Sequence, residues 1–185
     1  KPRYAFLVTG GNIDSMVAHY TAAKRRRSDD TYTPGGKAGR RPDRATIVYS
    51  RKLRQLYPDS NIVIGGLEAS LRRFAHYDYW DDAVRPSILL DSQADLLLYG
   101  MGEKVITQLT QRLRHGEALE TIRDLRGCCY LCRQEEIPQD SVSCASFHKV
   151  SENKESYAKA HQIQTEWQDA VYGKTIVQKQ TDTLY

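Results

Sequence analysis

The 185-residue sequence lacks any long apolar segment. No apolar run approaches the roughly 20 residues that a helix needs to cross a bilayer, so we expect a soluble protein without a membrane partner. There is also no initiator Met, and the apolar run at residues 4–9 is too short, and too soon followed by Gly10-Gly11, for a signal peptide. We therefore expect the first strand to be cut from a longer chain.

Nucleotide-binding motifs are absent as well. No G-x-G-x-x-G fingerprint lies between a predicted strand and a helix, and residues 34–39 lack the P-loop spacing and follow no strand. RNP, KH and zinc-finger patterns, internal repeats and low-complexity tracts are also missing. Neither NAD nor ATP binding is predicted.

The few cysteines all lie between residues 128 and 144. Nothing indicates secretion, so we expect reduced thiols in a cytoplasmic protein rather than disulfides. A C-C-x-x-C turn can point two sulfurs at one centre, so a zinc site is an alternative to small apolar strand residues. The ligands of that alternative site would be Cys129, Cys132, Cys144 and His148.

Positive charge is concentrated in one segment, residues 24–41. A local basic patch can bind phosphates, whereas scattered charges only solvate a surface. Ser28-Asp29-Asp30 interrupts the run, so we expect a long surface loop that pairs its own charges. Its basic residues are Lys24, Arg25, Arg26, Arg27, Lys37, Arg40 and Arg41.

Hydrophobic runs and turn residues predict a βαβαβα order in the first two thirds of the chain. Strands are predicted at 4–9, 61–66 and 94–100, helices at 15–23, 43–57 and 104–115, and a short helix or bend at 86–90. The helix at 43–57 has Asp43 as its expected cap. Its expected inward positions are Ile47, Tyr49, Leu53, Leu56 and Tyr57. This order favours an α/β, Rossmann-like three-layer α/β/α fold with a mostly parallel sheet.

The last third of the chain has a weaker pattern. It predicts a short helix at 118–124, a strand at 127–132, an extended piece at 147–150, a helix at about 151–169 and a strand at 175–179. We expect two domains, residues 1–135 as the Rossmann-like part and residues 136–185 as an extension carrying the late helix.

Glycine pairs follow each predicted parallel strand, at residues 10–11, 65–66 and 100–102. Ligands of open parallel sheets sit at these strand ends, so the three loops predict a cleft. The alternative is that the turns need positive φ angles. Residues 72–82 mix guanidinium, imidazole, aromatic and carboxylate groups, which suits stacking on bases or clamping of phosphates, or else a loop anchored by its own aromatic side chains.

Several longer motifs make the sequence recognisable. They lie at 12–17 (NIDSMV), 19–22, 27–30, 32–37, 41–44, 65–80 (GGLEASLRRFAHYDYW) and 99–103 (YGMGE). These motifs resemble the N-terminal region of the YgiQ-type UPF0313 family of radical-SAM proteins. The resemblance is dense over residues 3–130 and returns at residues 173–179.

The resemblance implies a Rossmann-like domain, related to cobalamin-binding domains, that precedes a partial TIM barrel. In such proteins the barrel holds a [4Fe-4S] cluster and S-adenosylmethionine through a C-x-x-x-C-x-x-C motif. This sequence has neither that motif nor the D-x-H-x-x-G signature of cobalamin binding, so we expect no cofactor in this segment and the cluster motif beyond Tyr185.

The implied function is therefore an accessory N-terminal domain, inactive alone, of a radical-SAM enzyme of unknown substrate. Its expected partner is its own downstream barrel. The alternative is a phosphate- or RNA-binding module that uses the basic loop 24–41 and the aromatic cluster 72–82. No catalytic residue is predicted, and the residues expected to line the cleft are Asp14, His19, Arg72, Arg73, His76 and Glu103.

Overall fold

The computed structural model describes residues 1–169 and 171–185 and divides the chain into two units. The first unit contains Lys1–Arg73 and Ile88–Tyr130, and the second contains Phe74–Ser87 and Leu131–Tyr185. Residues 74–87 thus group with the C-terminal part. The division at 135/136 stays a prediction about the domains of the parent protein.

The elements follow one another in this order: β1 (Phe6–Thr9), α1 (Ser15–His19), α2 (Ala45–Leu56), β2 (Ile62–Gly65), α3 (Gly66–Ser70), β3 (His76–Asp78), β4 (Ala83–Arg85), α4 (Ile88–Ser92), β5 (Leu96–Leu98), α5 (Glu103–Arg114), β6 (Cys128–Cys129), β7 (Ser141–Cys144), α6 (Phe147–Glu152), α7 (Lys154–Trp167) and β8 (Thr175–Gln178). None of the described helices is long and apolar enough to span a membrane.

A four-stranded, mostly parallel sheet is the centre of the first unit. Its order is β1-β2-β5-β6, with β1, β2 and β5 parallel and β6 antiparallel to β5. Strands β2 and β5 are apolar and buried on both faces, which is typical of the central strands of a parallel sheet. The predicted fold class, α/β with a mostly parallel sheet, is confirmed.

Alternate residues along the strands pack against two different helix layers, one on each face of the sheet. Val63 and Leu96, which are register partners, pack with Val105 and Leu109 of α5. The residues that alternate with these along each strand point to the opposite face of the sheet, where α2 contacts β1 and β2. The first unit is therefore a three-layer arrangement, with α5 and α2 on opposite faces of the sheet.

Helix α2 lies against the sheet through its N-terminal half. Ala45, Thr46, Ile47 and Ser50 are buried. Tyr49, Leu56 and Tyr57 are exposed, so the prediction that these three face inward is wrong. The prediction of Asp43 as the cap is also wrong. The capping position is Arg44, in the left-handed region at φ 51°, and it makes no side-chain capping bond.

Three predicted elements are shorter than expected. Helix α1 ends at His19 because Tyr20 is extended and begins a turn that returns to Arg26. The helix predicted at 118–124 is only a 3₁₀ turn, Leu119–Thr121, and the strand predicted at 127–132 is reduced to β6.

The second unit combines an antiparallel pair, β3 and β4, with a parallel pair, β7 and β8. Its core contains Ala75, Val150 and Ala160. The Gln178 side chain of β8 accepts the Ala75 N–H at 2.8 Å and donates to the Ala145 carbonyl at 2.9 Å. These bonds attach residues 74–87 to the second unit.

Two predictions for the second unit need correction. Residues 147–150 are not extended but begin α6, whose first turn is capped by the Ser146 hydroxyl at 3.3 Å from the Lys149 N–H. The single helix predicted at 151–169 is divided at Asn153, which ends α6 and caps α7 through a 2.8 Å bond from the Ser156 N–H. Strand β8 is confirmed, and β3, β4 and β7 were not predicted.

Candidate functional site

The three glycine-rich loops of the first unit meet at the carboxyl ends of the parallel strands. Gly66 has φ +81° and lies so close to the Thr9 side chain that a Cβ atom would clash with it. The Gly100 N–H, after β5, donates to the Ser70 hydroxyl of α3 at 3.3 Å. The loops after β1, β2 and β5 are therefore neighbours, as the sequence pattern suggested.

Asp14 and Arg72 form a buried ion pair at this edge. The Asp14 carboxylate accepts the Met16 N–H at 2.9 Å, which caps α1, and its second oxygen contacts the Arg72 guanidinium. Arg72 also donates to the Glu68 carbonyl at 3.0 Å. Both side chains are nearly inaccessible, so their contacts join α1 to α3 and do not present open functional groups.

Glu68 is a buried carboxylate that the sequence analysis missed. Its two oxygens accept the Ser15 N–H at 2.9 Å and the Thr46 N–H at 2.8 Å. Because these N–H groups belong to the first turns of α1 and α2, one side chain from α3 satisfies both helix starts. The sequence signal that could have identified Glu68 is a single acidic residue shortly after a strand and a glycine pair, in Gly65-Gly66-Leu67-Glu68.

His19 is held by a carboxylate from the far side of the basic loop. Its Nδ1 lies 2.7 Å from Asp43 Oδ1, and the Tyr20 hydroxyl donates to Asp43 Oδ2 at 2.7 Å. Burial alone would raise the pKa of Asp43, but the hydrogen bonds with Tyr20 and His19 lower it overall. His19 Nε2 is buried without a hydrogen-bond partner, 4.0 Å from Asp30 Oδ2.

Asp30 organises the basic loop 24–41 from within. It accepts the Thr33 hydroxyl at 2.7 Å, the Tyr32 N–H at 3.0 Å and the Arg41 Nε at 3.0 Å. Burial would raise the pKa of Asp30, yet these bonds together lower it below its ordinary value. Arg41 in turn donates to the Gly10 carbonyl at 2.9 Å, so the loop is attached to the end of β1.

The other predicted cleft residues are more accessible than Asp14, His19 and Arg72. Arg73 stacks over the Tyr99 ring at 5.0 Å and donates to the Ser70 carbonyl at 2.7 Å. Glu103 is exposed in the first turn of α5. His76 belongs to the second unit, where Nδ1 lies 3.1 Å from the Phe74 carbonyl, so the segment 72–82 is shared between the two units.

The cysteines do not form a metal site in the part of the chain that the structure describes. There, no group of three or more His, Cys, Asp or Glu side chains is arranged to hold a metal ion. Burial raises the pKa of Cys128 and Cys144 to about 11 and that of Cys129 to about 12. His148 is exposed beside Glu152 at 3.4 Å.

The four cysteines are free thiols, of which Cys132 is buried and the other three are half-buried. Their spacing is not the C-x-x-x-C-x-x-C of radical-SAM cluster ligands.

Comparison with known proteins gives one consistent result. The family model described as "Radical SAM N-terminal" matches residues 1–185. A UPF0313 protein of Clostridium botulinum (strain 657 / Type Ba4) is 58% identical over 179 residues, which cover 97% of this chain and 28% of that protein. A UPF0313 protein of Clostridium perfringens (strain ATCC 13124) is 54% identical over 180 residues, which cover 97% of this chain and 27% of that protein.

The chain therefore spans little more than a quarter of the length of these curated relatives. No solved structure matches it.

Proposed function

This chain belongs to the radical-SAM N-terminal family, and from that premise we propose that it is an accessory part of a larger radical-SAM enzyme. The carrying observation is that the family model matches all 185 residues, whereas the chain spans only 28% of a relative. Most of the parent protein thus lies outside this chain.

The [4Fe-4S] cluster and S-adenosylmethionine are assigned to the remainder of the parent. This assignment is supported by the cysteine spacing of this chain, which is not the C-x-x-x-C-x-x-C of the cluster ligands. The free state of all four cysteines also supports a reducing, cytoplasmic location for the parent.

The proposed role of the first unit is to present a rigid edge to the reacting part of the parent. The buried contacts of Asp14, Glu68 and Arg72 fix the loops at the carboxyl ends of β1 and β2. Among the predicted cleft residues of this unit, Arg73 is half-buried and Glu103 is exposed, and these two are candidates for substrate contact. Side chains whose surroundings are held rigid by buried contacts of this kind can position a substrate accurately.

The test uses the full-length parent, purified without oxygen and supplied with iron, sulfide, a one-electron reductant such as dithionite, and S-adenosylmethionine. We expect bound iron and reductive cleavage to 5′-deoxyadenosine. Replacement of the four cysteines of this chain by serine should leave the iron content unchanged. Loss of iron in that variant, or absence of both iron and cleavage in the wild-type parent, would overturn the proposal.

Exposed cations favour one other function, the binding of phosphate or RNA by the basic loop. Lys24, Arg25, Arg26, Lys37 and Arg40 are exposed, although Arg41 is neutralised by Asp30. Binding of single-stranded RNA by the parent should then weaken steeply between 50 and 200 mM salt. Binding that is absent at low salt excludes this function.

A further inference from the structure

Strand β1 is an open edge of the sheet. Its Phe6 N–H donates to the Asn61 carbonyl at 2.8 Å, and Phe6 and Val8 are the register partners of Ile62 and Ile64. In a parallel pair, alternate residues direct their N–H and C=O groups to the neighbour, so Leu7 and Thr9 direct theirs to the other side. No strand of the described residues lies on that side.

The edge carries none of the usual protection against pairing. The segment Phe6-Leu7-Val8-Thr9 has no charge and no proline, and its register with β2 has no bulge. Soluble proteins normally shield an unpaired edge with such features or with a covering element. An apolar, regular edge is therefore suited to accept a strand.

One face of β1 is also uncovered. Leu7 and Thr9 are exposed, Leu7 by 57%, whereas Val8 on the opposite face is buried. Leu7 is the register partner of Val63, so it lies on the α5 face, and α5 covers β2 and β5 but not β1. Parallel sheets are normally covered by helices on both faces.

The handedness of crossovers connects these two observations. The crossover from β1 to β2 runs through α2, on the face opposite to α5. Right-handed crossovers that step in opposite directions across a sheet place their helices on opposite faces. A strand paired with the open edge of β1, followed by a crossover that steps away from β1, would therefore place its helix on the α5 face, beside Leu7.

We propose that a strand–helix unit of the parent polypeptide, from outside residues 1–185, completes this sheet. Its strand pairs parallel to β1 and its helix covers Leu7. The inference rests on one part of the proposed function, namely that this chain belongs to a longer parent protein. Most of the length of that parent lies outside residues 1–185. The strand order then reverses beside β1, so the ligand crevice of the completed sheet lies at Gly10-Gly11.

Residue-resolved hydrogen exchange on the full-length parent tests the pairing. We expect slow exchange at all four consecutive amides, Phe6, Leu7, Val8 and Thr9. Phe6 and Val8 are internal controls because β2 already binds them. Alternating behaviour, with Leu7 and Thr9 exchanging at the unprotected rate, overturns the proposal. Protection that disappears when the parent is diluted to monomer also overturns it, because the strand then comes from a second copy.

A matched pair of substitutions tests the helix over Leu7. Leu7 and Leu56 are each 57% exposed in this chain, the first in a strand and the second in a helix. Leu7→Thr and Leu56→Gln keep the propensity of their elements. We expect Leu7→Thr to lower the melting temperature of the parent by about 3 °C or more and Leu56→Gln to change it by less. An equal or smaller fall for Leu7→Thr contradicts the covering helix.

Neither measurement involves the cluster or S-adenosylmethionine. Failure of the parent to cleave S-adenosylmethionine would therefore count against the proposed function and not against the completed sheet.

Discussion

Position 10 has room for a hydrogen atom and nothing larger. A Cβ on Gly10 would lie 2.7 Å from Glu68 Oε2 and 3.2 Å from Thr46 Oγ1. Since the carboxylate is fixed by two N–H groups, it cannot move aside without losing a bond. We expect Gly10→Ala to lower the free energy of unfolding by about 1–3 kcal/mol, measured by denaturant unfolding.

Gly102→Ala is the matched control for this substitution. Gly102 has φ −78°, which any residue adopts, and nothing lies within 4 Å of its Cβ position. Its replacement should leave stability unchanged or raise it by up to about 1 kcal/mol. Equal losses for both variants would show that the contact with Glu68 does not explain Gly10.

The contacts of individual side chains were the hardest feature of this structure to predict from the sequence. The sequence predicted glycines at strand ends, but not that Gly10 is needed for a carboxylate 58 positions later in the sequence. Asp43 has the residue type of a helix cap, yet His19 and Tyr20 bind its carboxylate. Such contacts depend on partners distant in sequence, which local patterns do not encode.

At the scale of elements, Glu68 joins three helices. We expect Glu68→Gln to lower the free energy of unfolding by about 2–4 kcal/mol. The amide has one acceptor oxygen, so its NH₂ group would face either the Ser15 or the Thr46 N–H. Denaturant unfolding followed by circular dichroism measures the loss.

The same substitution at an exposed acid provides the comparison. Glu103 also lies in the first turn of a helix, α5, but its side chain is exposed. Glu103→Gln should cost less than about 1 kcal/mol, since only the interaction with the helix dipole changes. A similar cost for both variants would mean that the buried bonds of Glu68 contribute little.

Helices and strands could be predicted where the residues of one short segment are enough to determine the secondary structure. Strands β1, β2 and β5 and helix α5 follow from apolar runs and from the turn residues that bound them. Strands β3, β4 and β7 were missed because their sequences, HYD, AVR and SVSC, contain no continuous apolar run, and their position depends on pairing. The extended prediction at 147–150 failed because the Ser146 cap and packing of Val150 favour α6.

For the molecule as a whole, two carboxylates make stability dependent on acid pH. The pKa values of Asp30 and Asp43 are lowered in the folded state. Unfolding therefore raises each pKa towards its usual value near 4, and the stabilisation is present above that value and is lost as the pH falls through the folded pKa. The free energy of unfolding should decrease below about pH 4.

Asp30→Asn isolates one part of this dependence. The variant should be less stable than wild type near pH 6, because it loses its ion pair with Arg41, and the difference should shrink towards pH 2. Asp29→Asn, at the exposed neighbour, should give a smaller difference near pH 6. A difference between wild type and Asp30→Asn that stays constant from pH 6 to pH 2 contradicts the assignment.

The fold class of the molecule was predictable, but its partition into units was not. The βαβαβα order dictates a parallel sheet, and the sheet is present. The grouping of residues 74–87 with the C-terminal part depends on Gln178 and Gln180, which bond Ala75 and Ser87 about 100 positions away. The residue pattern of segment 74–87 does not predict that its backbone binds these two glutamines.

The shared carboxylate of Glu68 has a consequence for how the chain folds during its synthesis. Its two N–H partners, at residues 15 and 46, precede it by 53 and 22 positions. At about 5–20 residues per second, the ribosome delivers Glu68 about 3–11 seconds after Ser15. A five-residue helix such as α1 is unstable alone, so the emerging segment should stay unstructured until α3 arrives. The first unit is then expected to form late and in one cooperative step, rather than progressively from its N-terminal end.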